Sequence, residues 1–182
     1  VNGPTNRSYW ILQGKFAAGA YPGKEHSGIH ELDAENIKAL EKSGIEVFIN
    51  LTQDYEGGTD AHLDRYDAFL SPNAIVERFP IPDVSVPPID LMNEVLDCID
   101  SNLAEGRGVY VHCWGGIGRA GSTVACWLMR HGHTTEDNVI DTLADLRRGD
   151  RGAGHRTSPE TPAQCEFVLS WPPKESSAAD RT

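Results

Sequence analysis

The stretch Val109-Tyr-Val-His-Cys-Trp-Gly-Gly-Ile-Gly-Arg119 decides how this chain is read. It runs from a β-branched strand, Val109 to Val111, through His112 and Cys113 into a loop with three glycines, and ends at Arg119. Beyond it, Val124, Trp127 and Leu128 share one face of an apolar run that Gly132 ends, the pattern of a helix. Cys113 and Arg119 lie six positions apart, so one tight loop can bring the sulfur and the guanidinium to the same anion. Gly115, Gly116 and Gly118 can adopt backbone angles that turn successive N–H groups inward. The helix N-terminus adds unpaired amides and the positive end of a dipole. A thiol in such a field is stabilised as thiolate and becomes a nucleophile near neutral pH. Arg119 offers a planar fork that matches a phosphate better than a Lys ammonium would. Each part has an ordinary use elsewhere; the order of strand, Cys, Gly-rich loop, Arg and helix is what carries chemistry.

Working outward, strands and helices alternate. Trp10–Leu12 and Phe16–Ala20 are expected to form an entry hairpin around Gly14. Asp33 has the position of an N-cap for a helix through Ile37 and Leu40 that stops at Gly44. Val47-Phe-Ile-Asn-Leu51 is an apolar run suited to a buried parallel strand. A loop at Gly57 and Gly58 is followed by an expected helix over Ala61–Leu70, and Ala74–Phe79 is a further strand stopped by Pro80 and Pro82. Met92, Val95, Leu96, Ile99 and Leu103 mark one helix face; Val139, Ile140, Leu143 and Leu146 mark another. Thr161-Pro-Ala-Gln164 has the form of a capping box with Pro at the first helical position. The fold class is therefore α/β: a central, mostly parallel sheet flanked by helices. Cys113 is expected at the carboxyl edge of a central strand, where such sheets bind ligands. The boundaries expected are an N-terminal segment over 1–9, one domain over 10–173, and a disordered polar tail over 174–182.

Composition narrows the function further. A chain of 182 residues is long enough for one filled core. Its net charge of −11 argues against nucleic acid or an anionic membrane surface as partner. No run approaches the roughly 18 to 20 apolar residues of a membrane helix. The polar opening Val1–Ser8 lacks the pattern of a signal peptide and has no initiator Met, so the chain is read as trimmed or a fragment. Four cysteines without a repeating spacing do not form a disulfide framework, and a thiolate nucleophile fits a reducing, cytoplasmic compartment.

The segment around Cys113 resembles the phosphate-binding loop of the cysteine-dependent protein tyrosine phosphatase superfamily, His-Cys-x-x-Gly-x-x-Arg, and the rest of the chain is similar to its compact dual-specificity branch. The resemblance spans residues 10 to 171, with the loop and the Asp83 segment as its specific motifs. It implies a two-step phosphomonoesterase needing no metal or other cofactor. Cys113 attacks phosphorus, while Arg119 and the amides of Trp114, Gly115, Gly116, Ile117 and Gly118 hold the oxygens. Asp83, in the proline-flanked segment Phe79-Pro-Ile-Pro-Asp-Val-Ser-Val-Pro-Pro88 thirty positions before Cys113, is then the general acid. Asp54 is its competitor, although that region more often shapes the wall of the site in this family. His112 either orients the loop or is a strand-end histidine satisfied by backbone. Relatives usually carry Ser or Thr where this chain has Ala120, a hydroxyl that can donate to the sulfur. The expected substrates are phosphorylated proteins, through phosphotyrosine and phosphoserine/threonine, or small phosphomonoesters. Phosphate and vanadate are the expected inhibitors. The loop carries no Lys, a residue common in the inositol-lipid phosphatases of the superfamily.

Rival readings stay open on the sequence. A pseudophosphatase would bind phosphoproteins without turnover. Sulfur transfer or arsenate reduction could use the same thiolate, with Cys126 as the only nearby resolving thiol. His131 and His133 are spaced like a metal pair but lack further ligands in a metal pattern. Arg147, Arg148, Arg151 and Arg156 form either a solvated helix end or the rim of an anionic site. Gln164 is either a capping residue or a water-positioning residue, as a glutamine is in some relatives.

Overall fold

The computed structural model describes residues 1–24 and 32–172. Five strands form one sheet: β1 (Ser8–Leu12), β2 (Phe16–Gly19), β3 (Ile45–Asn50), β4 (Ile75–Arg78) and β5 (Gly108–His112). Their order is β1-β2-β5-β3-β4, parallel except for the β1–β2 hairpin. β5 is thus central and buried along its whole length. Its side chains alternate, as strand geometry requires. Val109 and Val111 join one core with Val95 and Ile99 of α2 (Ile89–Ala104) and Val124 of α3 (Arg119–Arg130). The same core takes Leu143 of α4 (Val139–Arg147) and Val168 of α5 (Pro162–Leu169). Tyr110 faces the opposite layer, with Phe48, Ile37 and Leu40; the last two lie on α1 (Ala34–Lys42).

Local signals placed the ends. The Asp33 side chain accepts from the Glu35 and Asn36 amides, and the Thr161–Gln164 capping box is complete. Two expectations need correction. The fold starts before residue 10: β1 opens at Ser8, and Arg7, Ser8 and Tyr9 are buried. No α-helix spans 61–70, where the structure has turns and a short 3-10 segment, Asp67–Phe69. That stretch buries only Tyr66 fully, and Arg65 Nε donates back to the Asp54 carbonyl, so it has no apolar stripe for a helix to bury. The tail from Lys174 lies outside the described residues. No helix among the described residues is long and apolar enough to cross a membrane.

Candidate active site

The loop between β5 and α3 is held by its carbonyls. Tyr21 N–H donates to the Trp114 oxygen (3.1 Å), Arg7 Nη2 to Gly115 (3.1 Å), Ser158 Oγ to Ile117 (2.6 Å) and Ser122 N–H to Gly118 (2.9 Å). The amides show the opposite pattern. Gly116 N–H points at Cys113 Sγ (3.3 Å), and those of Trp114, Gly115, Ile117 and Gly118 meet no acceptor among the described residues. Carbonyls turned out and amides turned in make an anion nest. Gly116 is obligatory here: its φ is 73°, and a Cβ would lie 2.4 Å from the Gly19 carbonyl carbon.

Arg119 lies at the first turn of α3 and is buried. Its Nη1 and Nη2 bind both oxygens of Asp60 (2.8 and 3.0 Å), and Nη1 also donates to the Ile81 carbonyl (2.9 Å). Nε is buried and unpartnered. Burial opposes the charge, but the Asp60 bonds and the nearby Cys113 and Asp83 hold Arg119 above its ordinary value. Burial likewise pushes Asp60 up, yet Arg119 outweighs it and keeps the carboxylate below its usual range. Asp60 went unnoticed in the sequence. Its one signal is an acid just after the Gly57–Gly58 turn, on the sheet edge that carries Cys113.

Asp83 reaches the same cation, with Oδ1 2.9 Å from Arg119 Nη2. Its amide donates to Thr59 Oγ1, and its carboxylate accepts from Val84 N–H (2.9 Å each). Val84 has φ 55°, a left-handed conformation that costs a β-branched residue about 1–3 kcal/mol. Asp54, the other candidate acid, is tied up instead. It is buried and accepts from Tyr21 Oη, Asn50 Nδ2 and Arg78. Burial alone would raise its pKa, but these partners leave it lowered, a fixed carboxylate in the wall.

His112 is bonded through both ring nitrogens. Nδ1 lies 3.3 Å from the Cys113 carbonyl and Nε2 2.7 Å from Tyr66 Oη. Because a carbonyl only accepts, Nδ1 carries the proton, and Nε2 accepts from Tyr66. Burial drives the His112 pKa from 6.5 down to about 3. Between those values the unfolded chain binds the proton and the native state does not, so stability is lost as pH falls, by up to about 1.4 kcal/mol per unit. Urea titrations from pH 7 to 5 should show this slope, reduced in His112→Gln; equal slopes in both proteins would contradict the assignment.

Ala120 is fully buried. Ser122 Oγ and Thr123 Oγ1 donate to the Gly118 and Arg119 carbonyls, so neither replaces the missing hydroxyl at the sulfur. Gln164 completes its cap and donates through Nε2 to the Ser85 carbonyl (3.2 Å), tying α5 to the Asp83 segment.

Comparison with known proteins agrees with this geometry. Residues 23–133, more than half of the chain, match the Tc-R-P family, described as the DSP-PTPase phosphatase of polymorphic toxin systems. The chain belongs to this DSP-PTPase family. It is 30% identical over 147 residues to dual specificity protein phosphatase CDC14B of Mus musculus, covering 77% of this chain and 27% of that protein. It is 28% identical over 136 residues to cyclin-dependent kinase inhibitor 3 of Sus scrofa, covering 70% and 61%. The chain thus spans under a third of the first relative and under two thirds of the second. The fold is shared with kinase associated phosphatase carrying a Ser for its catalytic Cys (TM-score 0.69, 21% identity, 89% of this chain and 90% of that one). It is also shared with Tk-PTP in its active form (TM-score 0.63, 23% identity, 89% and 93%).

Other candidates from the sequence have structural work. Arg147 is buried and donates to the Ala153 and Arg156 carbonyls; Arg148 pairs with Asp145, and Arg156 with Glu160. His131 and His133 pack on Trp127, and His131 bonds Asp100 (2.8 Å). Among the described residues no group of three or more His, Cys, Asp or Glu side chains is placed to hold a metal ion.

Proposed function

We propose that this DSP-PTPase-family chain hydrolyses phosphomonoesters on proteins, at phosphotyrosine and phosphoserine/threonine, through a phosphocysteine. One observation carries the reading: the loop that carries Cys113 turns its Gly116 amide to the sulfur and, among the described residues, leaves its other amides and the buried Arg119 Nε without acceptors. Cys113 Sγ attacks phosphorus as the ester P–O bond breaks, and Asp83 protonates the departing oxygen. Asp83 then takes a proton from water as the water attacks phosphocysteine; the sulfur leaves as thiolate and phosphate is released. Arg119 and the nest bind the oxygens in both steps, and phosphate or vanadate would compete for them. The relatives' names support phosphoproteins as substrates, and the link to polymorphic toxin systems supports those of a target cell. A thiolate nucleophile supports action in a reducing cytoplasm. Against arsenate reduction stands Cys126, fully buried with its thiol pushed up by burial, a poor resolving nucleophile.

The test is p-nitrophenyl phosphate hydrolysis with chelator present, beside a thiosulfate:cyanide transfer assay. Phosphatase activity without sulfur transfer is expected. Ala120 adds a kinetic signature. Without a hydroxyl donor at position 120, the second step loses a hydrogen bond to a charged group, about 1.5–3 kcal/mol, or roughly 10- to 150-fold in rate. Rapid mixing should show a burst of p-nitrophenol near one equivalent, and Ala120→Ser or Ala120→Thr should speed the steady state and shrink the burst. An absent burst with both variants unchanged would mean that phosphocysteine hydrolysis is not limiting.

A further inference from the structure

Arg7 stands outside the phosphate-binding loop and acts on its most yielding point. It is 4% exposed, lies just before β1, and is 108 positions from Gly115 in sequence. Its Nη2 donates to the Gly115 carbonyl (3.1 Å), and its Nε pairs with Asp150 Oδ1 (3.4 Å). That oxygen is itself fixed, because it accepts from the Gly152 and Ala153 amides (3.0 and 2.9 Å). Gly152 leaves room for the Arg7 stem: a Cβ there would lie 2.3 Å from Arg7 Cδ. The Arg7 carbonyl accepts from Ala20 N–H (2.9 Å), at the strand end against which Gly116 packs.

The Gly115 carbonyl and the Gly116 N–H belong to one peptide unit. In a trans peptide the two point in opposite directions. The bond that draws the carbonyl out toward Arg7 therefore turns the N–H in toward Cys113 Sγ (3.3 Å). Rotating this unit changes ψ of Gly115 and φ of Gly116, and glycine takes either sign of φ at little cost. The local backbone does not choose its own orientation; an outside donor does. Ala120 offers the sulfur no hydroxyl, so among the described residues the Gly116 N–H makes the hydrogen bond to Sγ. We propose that Arg7 is a positioning residue: its guanidinium, anchored on Asp150, holds the Gly115–Gly116 peptide so that the Gly116 N–H faces Cys113 and the phosphate oxygens. The opposite orientation puts a carbonyl oxygen into the nest, where it repels an oxyanion. The proposal rests on the phosphatase reading for turnover, but the orientation of the peptide is measured without it.

Arg7→Lys is the deciding variant. A Lys ammonium sits where Arg carries Cζ, one bond short of Nη2, so it keeps the pairing with Asp150 and loses the reach to Gly115. Its urea midpoint should stay near that of the unaltered protein. Vanadate affinity and kcat/KM for aryl phosphates should each fall roughly 10- to 100-fold. The loss should be the same for good and poor leaving groups, because the nest binds the phosphoryl oxygens and not the leaving oxygen. In protein carrying isotope-labelled glycine, the Gly116 amide resonance should shift in Arg7→Lys, while that of Gly132, beyond α3, stays in place. Arg7→Met removes the ion pair as well and should lose both function and stability. Unchanged vanadate affinity and kcat/KM in Arg7→Lys, or a fall in stability alone, would overturn the proposal. Should Arg7→Lys not fold, Asp150→Asn repeats the comparison, since its amide oxygen still accepts from Gly152 and Ala153 while the anchor loses its charge. A smaller loss of the same kind is then expected, and an unmoved Gly116 resonance would contradict the assignment. If the amide shifts as expected but the unaltered protein hydrolyses no aryl phosphate, the phosphatase reading falls and the role of Arg7 in the loop stands.

Discussion

Cys113→Ser should end p-nitrophenyl phosphate turnover, a loss on the order of 10⁴-fold or more, while vanadate still binds. A serine hydroxyl is not ionised at neutral pH, and no base lies against this position: the contact at Sγ among the described residues is the Gly116 amide. The oxyanion binders survive, because the amides are turned inward by carbonyl bonds to Tyr21, Arg7, Ser158 and Ser122 that do not involve the sulfur. Isothermal calorimetry with vanadate and a continuous assay separate the two properties. Substantial hydrolysis by the purified Ser variant would sink the mechanism. Arg119→Lys should fail for a different reason. One ammonium cannot hold both Asp60 oxygens, the Ile81 carbonyl and a phosphate, so activity falls and the protein is destabilised. Breaking a buried pair outright costs about 3–5 kcal/mol, the upper bound for this change.

The strand, the loop and both flanking helices were legible because each is specified by neighbours in sequence: β-branched residues, glycines, then an apolar period. The caps at Asp33 and Thr161 were legible for the same reason. What escaped depends on distance in the chain. Asp60 becomes a partner of Arg119 only when the turn after β3 is folded against a helix fifty-nine residues away. The basic cluster looked like a surface feature because nothing local shows that Arg147 is buried against carbonyls of the following loop. Residues 61–70 looked helical from propensity, but Tyr66 must reach His112 and Asp60 must reach Arg119. A regular helix cannot satisfy both while burying a single side chain fully.

Asp83→Asn should lower kcat by about 100-fold for alkyl or weakly acidic phenyl phosphates, and far less for esters of strongly acidic phenols. Only a basic leaving oxygen needs a proton as the P–O bond breaks. The substitution is a clean probe here. An amide oxygen can still accept from Arg119 Nη2 and Val84 N–H, so the segment keeps its anchor and loses the transferable proton. The same change removes the base for the second step, which a step-resolved experiment separates from the first. The burst rate reports protonation of the leaving group, and the steady state reports hydrolysis of phosphocysteine. A uniform loss across a series of aryl phosphates would remove Asp83 from the acid's role. Asp54 could not take it over without first losing Tyr21, Asn50 and Arg78, which hold it as a carboxylate. Asp60, bound through both oxygens to Arg119, is no freer to donate. Among the described residues Asp83 is therefore the one carboxylate at Arg119 that combines contact with the guanidinium and access to solvent, the two conditions for passing a proton to a departing oxygen and then taking one from water.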